Sequence, residues 1–421
     1  MSIFKRINFS LKDKNSFTLV EMIIVIAILT ILTAAAVFVI NPVEWFNQSR
    51  DTQRMTDLKS IQTVIERYKY TGNRISSLGN PNTVYVSLVD AGSSSCADLG
   101  LPALASGWSY NCVTATSTLQ DVDGTGWIPV NLSGVGLIPS LPIDPTNASA
   151  SNLYYSYIVN STGQFELTAT LESQKKLKDT ALVDGGTDPA KYETGETVAL
   201  WTQASGLIGW WPFDEGGGST TADLSGNNNT GSLCSSGSCP GSTPPTWVSG
   251  KVGKYALTFN NSTNYVNVGS SSSFNIPSKT IAFWANPAGV QTYNMAFANG
   301  GGNYYVTFVS GGAMFASFVD SGGIQRYGTL ASGVVNTGVW AYYAYVFNVS
   351  GSNVSINAYI NGNAVGTLSW TTGYYSSYAA PYYIGTFLPA SYAFNGALDD
   401  VRVYNRALSA TEIQNMYNAT K

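Results

Sequence analysis

The chain contains no histidine, so imidazole base catalysis and histidine-ligated metals are excluded within it. Its most telling carboxylate is Glu21, the one charge in an otherwise apolar run over residues 17–40. A lone carboxylate in hydrocarbon costs roughly 2.5–3.5 kcal/mol on insertion scales, so it calls for a partner. A cut after the small residue Ser16 would supply one. The new ammonium at Phe17 of one subunit can neutralise Glu21 of a neighbour and fix its axial register in a helical polymer. The alternative is a plain membrane anchor with Glu21 near the interface. The other groups able to do chemistry are four cysteines, Cys96, Cys112, Cys234 and Cys239, and carboxylates at Asp184, Asp188, Glu193, Asp223, Asp399 and Asp400.

The element that must position Glu21 is the apolar run itself. At ~1.5 Å per residue it spans roughly 36 Å as a helix, enough to cross a bilayer core. A secretory signal peptide would place its small residues beyond the apolar stretch, whereas Ser16 precedes it. Lys5, Arg6, Lys12 and Lys14 come earlier still and hold that end on the cytoplasmic side. Ser16, then Phe17-Thr18-Leu19-Val20-Glu21 and Met22-Ile23-Ile24-Val25-Ile26-Ala27-Ile28-Leu29, resemble the class III leader and helix of type IV pilins and type II secretion pseudopilins. The resemblance implies that a prepilin peptidase cuts before Phe17 and methylates its amino group, and that Glu21 is the assembly glutamate. It implies as partners other pilin subunits, in a homopolymer or mixed filament, and an inner-membrane assembly platform. The precursor would sit in the cytoplasmic membrane by one N-terminal helix and then join an extracellular surface filament. The sequence departs from the pattern at Ser16, where glycine is usual, and in its long leader.

Asn41-Pro42 should kink or loosen the helix, because proline lacks a donor and clashes with the preceding turn. The helix then resumes: Leu58, Ile61, Ile65 and Tyr68 recur at helical spacing, and Arg50, Asp51, Arg54, Asp57, Lys59, Glu66 and Arg67 fill the other face. That charge run reads either as a solvated face or as intersubunit ion pairs. Beyond it, Leu153–Val159, the turn Asn160-Ser161-Thr162-Gly163 and Phe165–Leu171 form a hairpin pattern. Phe165, Leu167, Ala169 and Leu171 alternate with Glu166, Thr168 and Thr170, so one strand face can pack on the helix. Leu141-Pro142-Ile143-Asp144-Pro145 and the Phe-Glu-Leu-Thr-Ala strand are similar to the head of major pseudopilins. In that family a variable loop, which can bind calcium, falls where Asp184-Gly185-Gly186-Thr187-Asp188-Pro189 and Glu193 stand. Hard oxygen ligands and glycines suit that ion, although Asp-Gly and Asp-Pro are also ordinary turn formers.

Charged residues are 11% of the chain, against a typical ~25%. Beyond residue 75 there are 11 basic and 19 acidic side chains, a balance of −8, which does not attract nucleic acid. Such a composition suits an exported, strand-rich protein. The cysteines fall into two local pairs, as expected in an oxidising exterior. Cys96 with Cys112 would close a loop, and Cys234 with Cys239 would staple a Ser/Gly turn; the alternative is free buried thiols.

From Gly206 the text changes to short strand patterns separated by turns, among them Thr280–Trp284, Tyr304–Phe308, Ala341–Phe347 and Val354–Ile360, the last followed by the hairpin dipeptide Asn361-Gly362. Many strands and few helices argue for a two-sheet sandwich. Ser409-Ala410-Thr411-Glu412 fits a capping box for a closing helix with Ile413, Met416 and Tyr417 on its buried side. The stretch Phe394–Ser409 with Glu412-Ile413, the opening Gly209-Trp210-Trp211-Pro212-Phe213-Asp214-Glu215, Asp223-Leu224-Ser225-Gly226-Asn227, and Gly250-Lys251-Val252-Gly253 are similar to concanavalin A-like, laminin G-type jelly rolls. The resemblance implies a rigid binding or display module, often with structural calcium, here at Asp223 and Asp399 or Asp400. The other reading of Asp399 and Asp400 is hydrogen bonding to backbone at a strand end. Trp210 and Trp211 read as core, and Tyr374, Tyr375, Tyr378, Tyr382 and Tyr383 as the better ligand surface.

The expected fold class is an α+β pilin fold, a long N-terminal helix on a small antiparallel sheet, followed by an all-β concanavalin A-like jelly-roll sandwich. The divisions are a leader at 1–16, the transmembrane and assembly helix at 17–70, the head at 71–200 and the sandwich at 201–421. The expected function is a structural subunit that polymerises through its helix and displays the sandwich for adhesion to a glycan or a cell-surface protein. The alternative is a minor pseudopilin or tip subunit of a type II secretion or DNA-uptake machine. An enzyme is not expected, since no pair of catalytic carboxylates with a supporting motif stands out and fold alone does not establish chemistry.

Overall fold

The computed structural model describes residues 18–71, 78–289, 292–374, 380–388 and 392–421, with backbone alone for 34–40. Helix α1 (Leu19–Ile40) starts on a capping box made by Thr18 and Glu21. It ends at Asn41, whose φ of 41° is left-handed, and α2 (Pro42–Tyr70) restarts at once with proline in its first turn and the Asn41 side chain accepting from Glu44 N. The chain therefore breaks and resumes where proline has no N–H to lose. Among the described residues no helix is long and apolar enough to cross a membrane.

The head sheet has the order β2-β1-β3-β4-β5, from β1 (Thr83–Val89), β2 (Ser109–Val113), β3 (Tyr155–Val159), β4 (Phe165–Thr170) and β5 (Lys191–Gly195). Only the β1–β2 pair is parallel. Leu58, Ile61, Ile65 and Tyr68 of α2 share one core with Phe165, Leu167, Ala169 and Leu171, each buried Leu, Ile or Phe contributing roughly 1.5–3 kcal/mol. The alternate residues Glu166 and Thr168 are fully buried as well. They do not meet water because α4 (Leu200–Ser205) closes the second face: Leu200 and Trp201 N donate to Glu166 Oε2 at 2.6 and 2.9 Å, and the Ser156 and Thr168 hydroxyls bond at 2.6 Å.

The charge run on α2 is a solvated face only in part: Lys59 and Arg67 are exposed, whereas the charges nearer its start are tied into the chain's own head. Arg54 and Asp51 are completely buried. Arg54 grips Asp144 with two bonds of 2.6 and 3.0 Å and also reaches Asp51 and Glu172, while Arg50 pairs with Glu172 at 2.7 Å. A helix pattern cannot show this, because the partners lie about 90 to 120 residues away. Glu44 likewise accepts from the Ser173 hydroxyl and from the amides of Gln174 and Lys175, which seats the short turn α3 (Gln174–Lys176) beside the start of α2.

The second half folds as two facing sheets. One has the order β19-β18-β17-β12-β21-β10-β9 with β6 also on β21; the other runs β16-β15-β14-β13-β20-β11-β8-β7. In chain order the strands are β6 (Leu207–Trp211), β7 (Thr220–Thr221), β8 (Gly231–Ser235), β9 (Thr246–Ser249), β10 (Tyr255–Asn260), β11 (Asn264–Asn267), β12 (Lys279–Pro287), β13 (Asn294–Asn299), β14 (Tyr304–Val309), β15 (Ala313–Val319) and β16 (Gln325–Ala331). They continue with β17 (Ala341–Ser350), β18 (Asn353–Ile360), β19 (Asn363–Thr371), β20 (Tyr382–Ile384) and β21 (Asn395–Tyr404). Asn361 and Gly362, both at positive φ, join β18 to β19 as a tight hairpin should. Between the sheets lies an aromatic core including Trp211, Phe283, Phe297, Phe308, Tyr343 and Phe347.

Helix α5 (Ala410–Thr420) has the capping box Ser409–Glu412. It covers the other side of the first sheet, where Ile413 and Met416 pack with Trp284, Tyr342 and Tyr404. Its far end belongs to the head, since Ala419 lies in the same core as Leu177 and Ala181. Arg406, clamped on Glu412, donates to Ser205 O at 2.6 Å, and Arg402 donates to Thr187 O at 2.6 Å. Head and sandwich are docked, and the segment between them is folded rather than a free tether. Both cysteine pairs are bonded, Cys96–Cys112 and Cys234–Cys239.

Candidate functional site

Glu21 lies in the first turn of α1. Its Oε2 accepts from Thr18 N and from Thr18 Oγ1, both at 2.8 Å. The carboxylate thus has donors within its own chain, on the residue after Phe17, and the described apolar side chains around it are exposed, Leu19 by 77%. Ser16 and Phe17, the pair expected to flank the cut, lie outside the described residues.

The three acidic residues expected to hold calcium in the sandwich do come from segments that meet, because β6 pairs with β21. Trp210 bridges two of them: its backbone N donates to Asp223 at 2.9 Å and its indole N to Asp400 at 2.7 Å. Each carboxylate is already engaged. Asp223 also accepts from Ser225 N and Asn229 N. Asp400 binds Arg402 Nε through both oxygens, and the guanidinium lies 4.2 Å from the Trp210 ring centroid. Asp399 Oδ2 accepts from Lys251 N and Val252 N at 2.7 and 2.9 Å, while Asp214 holds Lys254 N and Tyr255 N from the other side. The two aspartates thereby fasten the loop Gly250–Lys254. Gly253, at φ 66°, has no room for a Cβ, which would stand 1.9 Å from Asp214.

Asp399 is buried, with Oδ1 lacking a partner, and burial pushes its carboxyl up to about 8, with Asp400 adding to the effect. Among the described residues no three acidic or cysteine side chains gather closely enough to hold a metal, and the oxygens of Asp223 and Asp400 are taken up by backbone amides, the Trp210 indole and Arg402.

The acids of the head loop are likewise engaged by donors of their own chain. Asp184 accepts from Gly186 N and Glu193 N, Asp188 from Ala190 N and the Trp201 indole, and Glu193 Oε2 from Asp188 N. Burial pushes Asp184 up to about 6 and Glu166 to about 7, and raises Glu193 well above the usual carboxyl range, with Glu166 next in importance. Glu166 Oε1 and Glu193 Oε1 are each buried without a donor. One proton shared between them satisfies both.

Of the tyrosines expected to form a ligand surface, the three that the structure describes are turned into packing. Tyr382 and Tyr383 are buried, and Tyr374 stacks on Phe318 while its hydroxyl accepts from the buried Lys279; Tyr375 and Tyr378 lie outside the described residues. Trp211 is core, as read, and the exposed tyrosines of the sandwich are Tyr327 and Tyr392 among the described residues.

A model of the prokaryotic N-terminal methylation motif matches residues 11–37, and a model described as the concanavalin A-like lectin/glucanases superfamily matches residues 260–414. Among solved structures, domain 4 of a GH43 extracellular arabinanase from Geobacillus stearothermophilus, in complex with arabinotriose, is 18% identical with a TM-score of 0.40, over 50% of this chain and 97% of that one. The CBM40 of the Ruminococcus gnavus IT-sialidase, bound to α2,3-sialyllactose, is 14% identical with a TM-score of 0.32, over 38% of this chain and 94% of that one. Curated protein sequences give no match. With the leader motif at one end and the two-sheet sandwich at the other, the chain carries the methylation motif of type IV pilins and secretion pseudopilins fused to a concanavalin A-like, laminin G-type domain.

Proposed function

We propose that this protein is a non-catalytic filament subunit. A prepilin peptidase releases the leader between Ser16 and Phe17, the N-terminal helix then polymerises with Glu21 setting register, and the sandwich is displayed outward for adhesion. The observation that carries this reading is the methylation motif over residues 11–37, whose helix begins with Glu21 one turn from the new terminus. The docking of sandwich on head through Arg402, Arg406 and α5 supports the second half: each binding face is held at a fixed attitude to the subunit that would build the shaft. The waiting precursor keeps its carboxylate on Thr18, and a neighbour's ammonium offers a full charge in its place, a stronger bond in a medium without water.

Glu21→Ala should leave folded, membrane-held subunits while sheared filaments fall to a small fraction of the wild-type yield. Wild-type yields would refute the role of Glu21. Abundance separates the two assemblies: a shaft subunit dominates sheared filaments, whereas a tip or pseudopilus subunit is scarce in them.

A further inference from the structure

In a solvated sandwich the strand positions that face away from the core are expected to be polar. On β14 and β15 the inward positions Tyr304, Val306, Phe308, Met314, Ala316 and Phe318 all lie in the inter-sheet core. The intervening outward positions include Tyr305 and Phe315, whose ring centroids are 6.4 Å apart at 11°. Tyr327 on β16 continues the row, 5.9 Å from Phe315. Tyr293, Phe387 and Tyr392 extend it on the other side, with Tyr293 touching Phe315 and Tyr392, and Phe387 touching Tyr305 and Tyr392. Six aromatic rings thus form one connected patch outside the core, ending in Tyr327, 63% exposed, and Tyr392, 50% exposed. Tyr392 is held at φ 56°, a backbone region that bulky residues rarely occupy and one that collects at binding sites.

The charge of this surface selects its occupant. Between residues 292 and 331 the sequence has two charges, Asp320 and Arg326, and they cancel each other in an ion pair of 2.7 Å; Arg326 also alternates with Tyr327 and so faces the opposite side. The outward row instead carries neutral hydrogen-bonding groups among the rings. Gln325 Nε2 donates to Ser317 Oγ at 3.0 Å, and tyrosine hydroxyls stand beside them. Protein-binding hot spots favour arginine beside the aromatics, which this face lacks. Rings that pack against C–H surfaces, set among uncharged donors and acceptors, match a neutral carbohydrate, whose pyranose or furanose faces are apolar and whose edges are hydroxyls.

We infer that the outer face of β13–β16, centred on Phe315 and Tyr327, is a binding surface for uncharged oligosaccharides. This rests on the reading of the sandwich as a binding module and names its ligand class and its site.

The test uses the full chain in detergent and a panel of neutral glucan, xylan and arabinan oligosaccharides together with a sialylated one, read by isothermal titration. A neutral member binds, the sialylated one does not, and Tyr327→Ala combined with Tyr392→Ala weakens binding at least about tenfold with an unchanged melting temperature. Tyr327→Phe, which keeps the ring, loses much less. Binding that survives both alanines places the site elsewhere and overturns the inference while leaving adhesion intact. Preference for the sialylated member overturns the ligand class. Self-association of the chain that is abolished by the two alanines, without glycan binding, makes the patch a protein interface and also overturns it. No binding of any glycan by the wild type removes glycan adhesion from the proposed function as well.

Discussion

At the scale of residues, several ionisable groups sit in places closed to water. Burial raises Glu166 to about 7 and Asp184 to about 6, and these shifts act on stability in one direction. A carboxyl whose folded value exceeds its unfolded value of ~4.5 binds more protons when folded. Its stabilising contribution is complete below that unfolded value, falls as pH rises toward the folded one, and levels off above it, by up to ~1.4 kcal/mol per pH unit for each group. Melting temperature should therefore decline between pH 5 and 7, and Glu166→Gln, which keeps the amide contacts in a neutral side chain, should flatten that decline. A variant with the full wild-type slope would remove Glu166 from the account. Little of this was legible beforehand. Glu166 alternates with apolar neighbours and reads as solvent-facing, and Arg54 sits in a charge run that reads as a wet helix face; both are buried because distant segments, residues 200–201 and Asp144, come to them.

At the scale of elements, the patterns that could be read locally are the ones that formed. The helix break at Asn41-Pro42, the hairpin of β3 and β4, the Asn361-Gly362 turn and the capping box of α5 all depend on residues within a few positions of one another. The parallel pairing of β1 with β2 and the closure of the sheet's second face by α4 depend on long-range docking, which periodicity does not carry. That closure makes a sharp prediction. The Ser156 and Thr168 hydroxyls bond only within a dry layer, so Thr168→Val alone strands a buried hydroxyl and costs about 1–3 kcal/mol. Adding Ser156→Ala should recover most of the loss, because both partners are then apolar. Additive losses in urea unfolding of the double variant would show that the layer is wet.

At the scale of the whole molecule, α5 is the fastener. It covers one sheet of the sandwich, lends Ala419 to the head core, and receives the Trp284 indole N–H on the Thr420 hydroxyl at 2.9 Å. Head and sandwich should unfold in one calorimetric transition, and a chain ending at Ser409 should show two, both lower; two transitions in the intact chain would contradict the coupling. The two-part plan was visible in the sequence at its ends, in Ser16 to Glu21 and in the Phe394–Ser409 stretch, whereas the docking was not, because its contacts run through Arg402 and Arg406 to backbone carbonyls that carry no sequence signature. Everything in the functional account turns on how the chain begins once it is exported. Mass spectrometry of the amino terminus in sheared surface filaments reads this directly: the account predicts a chain that starts at N-methylated Phe17, and filaments whose subunits keep residues 1–16 would contradict it.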